Sequence, residues 1–186
     1  VLADAGYQFC MRATEWRNSG GVKINGDDCD GWTGGQCDTS LTIDIAQVRR
    51  KYSGRNTFVI TEPSRACVSV IGTTASKKPT ISITAIDIDS GFNKDDTIYN
   101  GQLFNNLVVF SLLDLTAIEE SASVELTSRL KISFKYTLTC LAGSGGANCQ
   151  SCGTSGCRLC STNINTCTLC NLPLKLYQNK CQNECP

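Results

Sequence analysis

The chain has 186 residues with 17 acidic and 17 basic side chains, so it can bury one ordinary core and carries no basic excess to hold a phosphate backbone. It has no histidine, which excludes Ser-His-Asp and Cys-His catalysis and every histidine-ligated metal site. No apolar run reaches the about 18 residues that span a bilayer, so neither a transmembrane segment nor a nucleic-acid partner is expected of this chain.

Residues 1–140 read as an all-β domain, a β-sandwich. Val1, Leu2, Tyr7 and Phe9 precede the first cysteine, Cys10, and are expected either to close the chain's own sheet or to reach a neighbour's. Residues 18–35 hold six glycines together with Asp27, Asp28 and Asp30, which predicts a long loop tied down by Cys29 and Cys37. Strands are expected over 41–45, 57–61, 67–72, 80–89, 103–113, 123–126 and 130–140, and this many short strands suit a sandwich. Residues 45–52 and 114–121 predict at most a turn or two of helix, because neither sustains a 3.6-residue stripe. Over 80–89, Ile81 and Ile83 lie on one phase and Ile86 and Ile88 on the other, so a bulge or a change of sheet is expected at Ala85. The clearest strand is 130–140, where Leu130, Ile132, Phe134, Tyr136, Leu138 and Cys140 alternate with polar residues. Cys140 shares the inward phase and is expected to bond one of Cys10, Cys29, Cys37 and Cys67. Residues 141–148 contain three glycines and predict a short flexible joint.

The 13 cysteines fall in two regimes. Five are scattered up to Cys140; the other eight are Cys149, Cys152, Cys157, Cys160, Cys167, Cys170, Cys181 and Cys185. Little apolar sequence lies between these eight, so covalent bonds are expected to replace a core. Zinc is the rival, since C-x-x-C also presents two thiolates to one tetrahedral ion. Four residues separate Cys152 from Cys157, fewer than the about 12–20 between the pairs of ribbon-like zinc sites, and this favours interleaved bridges. If the eight pair among themselves, one of the first five is left over: a buried thiol, the partner of a cysteine beyond the chain's ends, or a bridge between protomers. The start at Val1 rather than Met is consistent with removal of a signal peptide.

The run Cys149-Gln-Ser-Cys152, Cys157-Arg-Leu-Cys160, Cys167-Thr-Leu-Cys170, then Leu174-Lys-Leu-Tyr177-Gln-Asn-Lys-Cys181 and Cys185-Pro186, resembles the furin-like, growth-factor-receptor-type cysteine-rich repeat. It is similar to the version carried by surface and secreted proteins of ciliates and other protists. The resemblance covers residues 149–186. It implies a rod of short β-hairpins stapled by bridges, used as stalk, spacer or contact surface; with little more than one repeat present, either a further repeat after Pro186 or a single module capping the sandwich is expected.

Asp87, Asp89, Asn93 and Asp95 set side-chain oxygens at alternate positions around Gly91, as calcium loops do, although the same residues also make ordinary polar turns. Asp27, Asp28 and Asp30 are a second acidic loop, read either as a calcium site or as a disulfide-pinned surface loop. Trp16 and Trp32, with Tyr7, are candidates for an aromatic platform that stacks on sugar rings, against the plainer reading of core or loop anchors. Glu119 and Glu120 are adjacent, so on a strand they point to opposite faces and make no glycosidase pair. No nucleotide or hydrolase fingerprint occurs, and no enzyme is expected. None of the 13 asparagines is followed two places on by Ser or Thr, so any glycan is expected on Ser or Thr hydroxyls.

The expected function is that of a non-enzymatic extracellular or cell-surface structural protein, a homo-oligomer or filament built through the sandwich and the cysteine-rich tail. The alternative is an adhesion or carbohydrate-binding module with glycan partners, its site formed by Trp16 and Trp32. A secreted enzyme and a zinc-stabilised intracellular protein complete the readings.

Overall fold

A computed structural model describes residues 5–23, 25–29, 36–61, 64–73, 79–88, 95–103, 119–146 and 148–183. The protein is all-β: a two-sheet sandwich followed by a small disulfide-rich module. Among the described residues no helix is long and apolar enough to cross a membrane.

The first sheet is organised by β1 (Gly6–Asn18), which pairs along its whole length with β9 (Leu130–Cys140). Its other edge takes β5 (Ala66–Ile71) against its first half and β4 (Thr57–Val59) against its second, and β8 (Glu120–Glu125) closes the far side on β9. Of the apolar start of the chain, Tyr7 and Phe9 thus close its own sheet, and Val1 and Leu2 lie outside the described residues. The second sheet runs β3 (Val48–Gly54), β2 (Thr39–Ile45), β6 (Ile81–Asp87), β7 (Asp96–Gln102). Both sheets are antiparallel throughout, and each buries one phase of its strands. Phe9, Met11, Ala13, Trp16, Ile132 and Phe134 meet Leu41, Ile43, Ile45, Ile81, Ile83 and Ile98 in the core.

Two sequence expectations change for local physical reasons, and one strand leaves no periodic mark in the sequence. Residues 45–52 form no helix: β2 and β3 join through a two-residue hairpin at Ala46-Gln47, where Ala46 takes φ 54°. The phase slip near Ala85 is not absorbed within β6. The register shift there lies opposite, on β7, where Ile98 is the extra residue, and β6 keeps one phase throughout. Asp87 is therefore buried and Ile88 is exposed. Strand β1, unmarked by any alternation, carries a bulge at Thr14. Before it Phe9, Met11 and Ala13 point inward, and after it Trp16 and Asn18 do, so an even period is broken in the middle of the central strand. Of the remaining elements, 104–113 and 114–118 lie outside the described residues.

The tail is built from three short hairpins: β10 (Ser144–Gly145) with β11 (Gln150–Ser151), β12 (Cys157–Cys160) with β13 (Cys167–Cys170), and β14 (Lys175–Tyr177) with β15 (Lys180–Gln182). Gln178 and Asn179 both have positive φ, the backbone a tight two-residue hairpin turn demands. The interior of the tail is mostly sulfur, with Cys152, Cys157, Cys160, Cys167 and Cys170 buried against Ile164 and Leu174.

Candidate assembly surface

Six disulfides organise the described residues: Cys10–Cys67, Cys29–Cys37, Cys140–Cys149, Cys152–Cys160, Cys157–Cys167 and Cys170–Cys181. The pairing differs from expectation at Cys140. The four earlier cysteines satisfy one another, and Cys140 reaches forward to Cys149, which is buried in the sandwich core cluster. The reason is register: β1 places Cys10 directly opposite Cys67 on β5, while Cys140 ends its strand where the chain turns back. The tail's eight therefore do not pair among themselves. The odd cysteine of the 13 is Cys185, which lies outside the described residues. Within the tail, Cys152–Cys160 and Cys157–Cys167 interleave.

The same bridge changes the glycine-rich joint. Cys140–Cys149 spans residues 141–148, the buried Ser144 hydroxyl accepts a 3.0 Å hydrogen bond from the Gly6 amide, and β10 pairs with β11. In place of a flexible linker the sandwich has a covalently closed turn.

Of the calcium candidates, Asp89 and Asn93 lie outside the described residues. Asp87 is 1% exposed, accepts a 2.7 Å hydrogen bond from the Asp38 amide and packs beside the Cys29–Cys37 bridge, while Asp95 is exposed. Asp87 thus pins the end of the 29–37 loop from inside the fold, together with Asn18 and Asn56. Trp32 and Asp30 also lie outside the described residues. Trp16 is fully buried and Tyr7 is 1% exposed, so neither offers a face to a sugar. Burial pushes the Tyr7 hydroxyl up to about 12. The sugar platform fails at Trp16 because the bulge at Thr14 turns that ring into the core.

Glu119 is the centre of a charge cluster that sequence reasoning passed over. Arg12 grips it with two hydrogen bonds of 2.9 Å, and Arg65 and Lys135 stand at 3.1 and 3.8 Å. These donors hold the Glu119 carboxyl at about 2, the Arg12 hydrogen bonds contributing most and partial burial opposing them. Glu120, one residue on, points the other way and accepts from the Tyr136 hydroxyl at 2.7 Å. Burial first, and this bond second, raise the Tyr136 hydroxyl above the usual phenol range. The cluster ties β1, β9 and the entry of β8 together.

The outer strands of the two sheets are the remaining surface feature. Among the described residues β3 pairs only with β2, β8 only with β9, β7 only with β6, and β4 and β5 only with β1. In the tail, Leu159, Leu169, Leu172 and Leu176 are exposed. Leu159 and Leu169 are cross-strand partners and share one face of their hairpin. Residues 149–186 carry three basic side chains and one acidic, whereas residues 1–148 carry 14 basic and 16 acidic, so the molecule is polarised along its length.

No family model and no curated protein matches this chain. Among solved structures it is similar to Drosophila C2-DSL-EGF1, at 15% identity and a TM-score of 0.44, over 92% of this chain and 85% of that one. It is also similar to the paired C2 domains of Extended-Synaptotagmin 2, at 12% identity and a TM-score of 0.41, over 74% of this chain and 43% of that one. A third likeness is to human GIVD cytosolic phospholipase A2, at 12% identity and a TM-score of 0.43, over 74% of this chain and 18% of that one. This chain spans most of the first and less than half of the other two. None of the three bears on what this chain does.

Proposed function

We propose that the chain is a non-enzymatic structural protein of the extracellular space or cell surface that self-associates into a filament or coat. The sandwich is the polymerising unit, and the tail is a braced spacer and contact surface. The observation that carries this reading is that, among the described residues, both sheets end in strands paired on one side only, within a fold held by six bridges. An edge strand offers a row of backbone donors and acceptors to another chain. Rigidity lowers the ordering cost of accepting one. Bridges at this density belong to an oxidising compartment, and the cysteine pattern of residues 149–186 resembles repeats of surface proteins. The equal numbers of acidic and basic side chains leave no net repulsion between copies.

The test is sedimentation velocity of the oxidised full chain over a wide concentration range, paired with electron microscopy without reductant. Concentration-dependent growth into fibres or sheets is expected. Monomers at every concentration overturn the reading and leave the adhesion module, which glycan-array binding then tests.

A further inference from the structure

Of the twelve cysteines in the six bridges, ten are buried, Cys181 is half-buried and Cys67 alone is exposed. Cys67 stands on β5 directly across from Cys10 on β1. Phe9 and Met11 turn the neighbouring phase of β1 into the core, so this bridge lies on the outer face of the first sheet. Exposed bridges are the ones that exchange with thiols, whereas enclosed ones resist. The charge beside it is uneven. Arg12 follows Cys10 by two residues on the same face of β1, and Lys135 is its direct partner on β9. Arg65 precedes Cys67 by two residues, and all three cations converge on the carboxylate of Glu119. Among the described residues this cluster has two positive charges in excess, centred about 7 Å along the strand from Cys10. Arg and Lys favour a neighbouring thiolate, and a thiol of lowered pKa leaves a disulfide faster.

We infer that Cys10–Cys67 is a thiol-exchange site, at which a small anionic thiol becomes attached to the sandwich. An incoming thiolate attacks the exposed Cys67 Sγ. A bond forms between those two sulfurs, the Cys10–Cys67 bond breaks, and its electron pair leaves on Cys10 Sγ. The incoming thiol gives its proton to water beforehand, so the exchange consumes no oxidant or reductant. Attack at the other sulfur is disfavoured, since Cys10 is 8% exposed. The Cys10 thiolate is held near the cations and directly across the strand pair from Cys67, so it reverses the step by expelling the same thiol. The step needs one copy of the chain and does not rest on the self-assembly reading above.

The test incubates the oxidised full chain with limiting glutathione, quenches it in acid and maps adducts and free thiols by mass spectrometry. Glutathione on Cys67 and a free thiol on Cys10 are expected before any other bridge opens. Compared per thiolate, anionic glutathione is expected to react severalfold faster than cationic cysteamine at low salt, and the difference is expected to shrink at high salt. C10S and C67S remove the same bridge, so a folding defect touches both alike. Given glutathione disulfide, C10S is expected to take up glutathione at Cys67 at least about tenfold faster than C67S does at Cys10. First opening at another bridge, opening of all bridges together, equal rates for the two thiols, or equal uptake by the two variants each overturns the inference. Should neither variant fold, the order of opening in the native chain decides.

Discussion

The residue with the sharpest electrostatic signature is Glu119, clamped by Arg12 and flanked by Arg65 and Lys135. Its folded carboxyl, at about 2, lies below the ordinary 4.5. A depressed carboxyl stabilises the fold fully above its unfolded value and loses that contribution as pH falls through the folded one. Urea denaturation between pH 5 and pH 2 is expected to show the native chain losing stability more steeply than E119Q, with the gap between them narrowing toward pH 2. Trp16 makes the second residue-scale case. Its ring is wholly enclosed, so Trp16→Ala is expected to lower stability by about 3–5 kcal/mol in thermal or chemical unfolding. Ala46 is the third, since a non-glycine residue with φ 54° pays a steric cost. Ala46→Gly is expected to raise the melting temperature, by up to about 1 kcal/mol of stability.

At the scale of elements, periodicity was a good guide where one face of a strand stays buried. Residues 130–140 became β9 with the expected phase, and 41–45, 67–72 and 123–126 fall within or across β2, β5 and β8. It failed wherever a bulge or a tight turn interrupts the period. The Thr14 bulge hid β1, and the Ala46-Gln47 hairpin made residues 45–52 the end of one strand and most of the next where a turn or two of helix was expected. The Cys140–Cys149 bridge is the element-scale device that could not be read from spacing, because it depends on where β9 ends. Replacing both cysteines by serine removes a short covalent loop and is expected to cost about 2–3 kcal/mol. Limited proteolysis checks the local consequence, with cleavage expected between residues 141 and 148 in the double variant and protection in the native chain.

Across the whole molecule, the sandwich and the tail share a covalent turn, a buried hydroxyl and one core cysteine, Cys149. Coupling of this kind is expected to make thermal unfolding of the oxidised chain a single transition, and selective loss of Cys140–Cys149 to split it into two, as calorimetry would read it. Composition and alternation by themselves determined the all-β class, the cysteine-bonded tail and the lack of histidine chemistry, because these follow from residue types and local period. Only the tertiary structure decided which cysteines pair, that Trp16 and Asp87 are inside, that Glu119 gathers three cations, and which strands are left at the edges. Those depend on register between segments far apart in the chain, and a single bulge at Thr14 or Ile98 shifts that register without leaving a mark in composition.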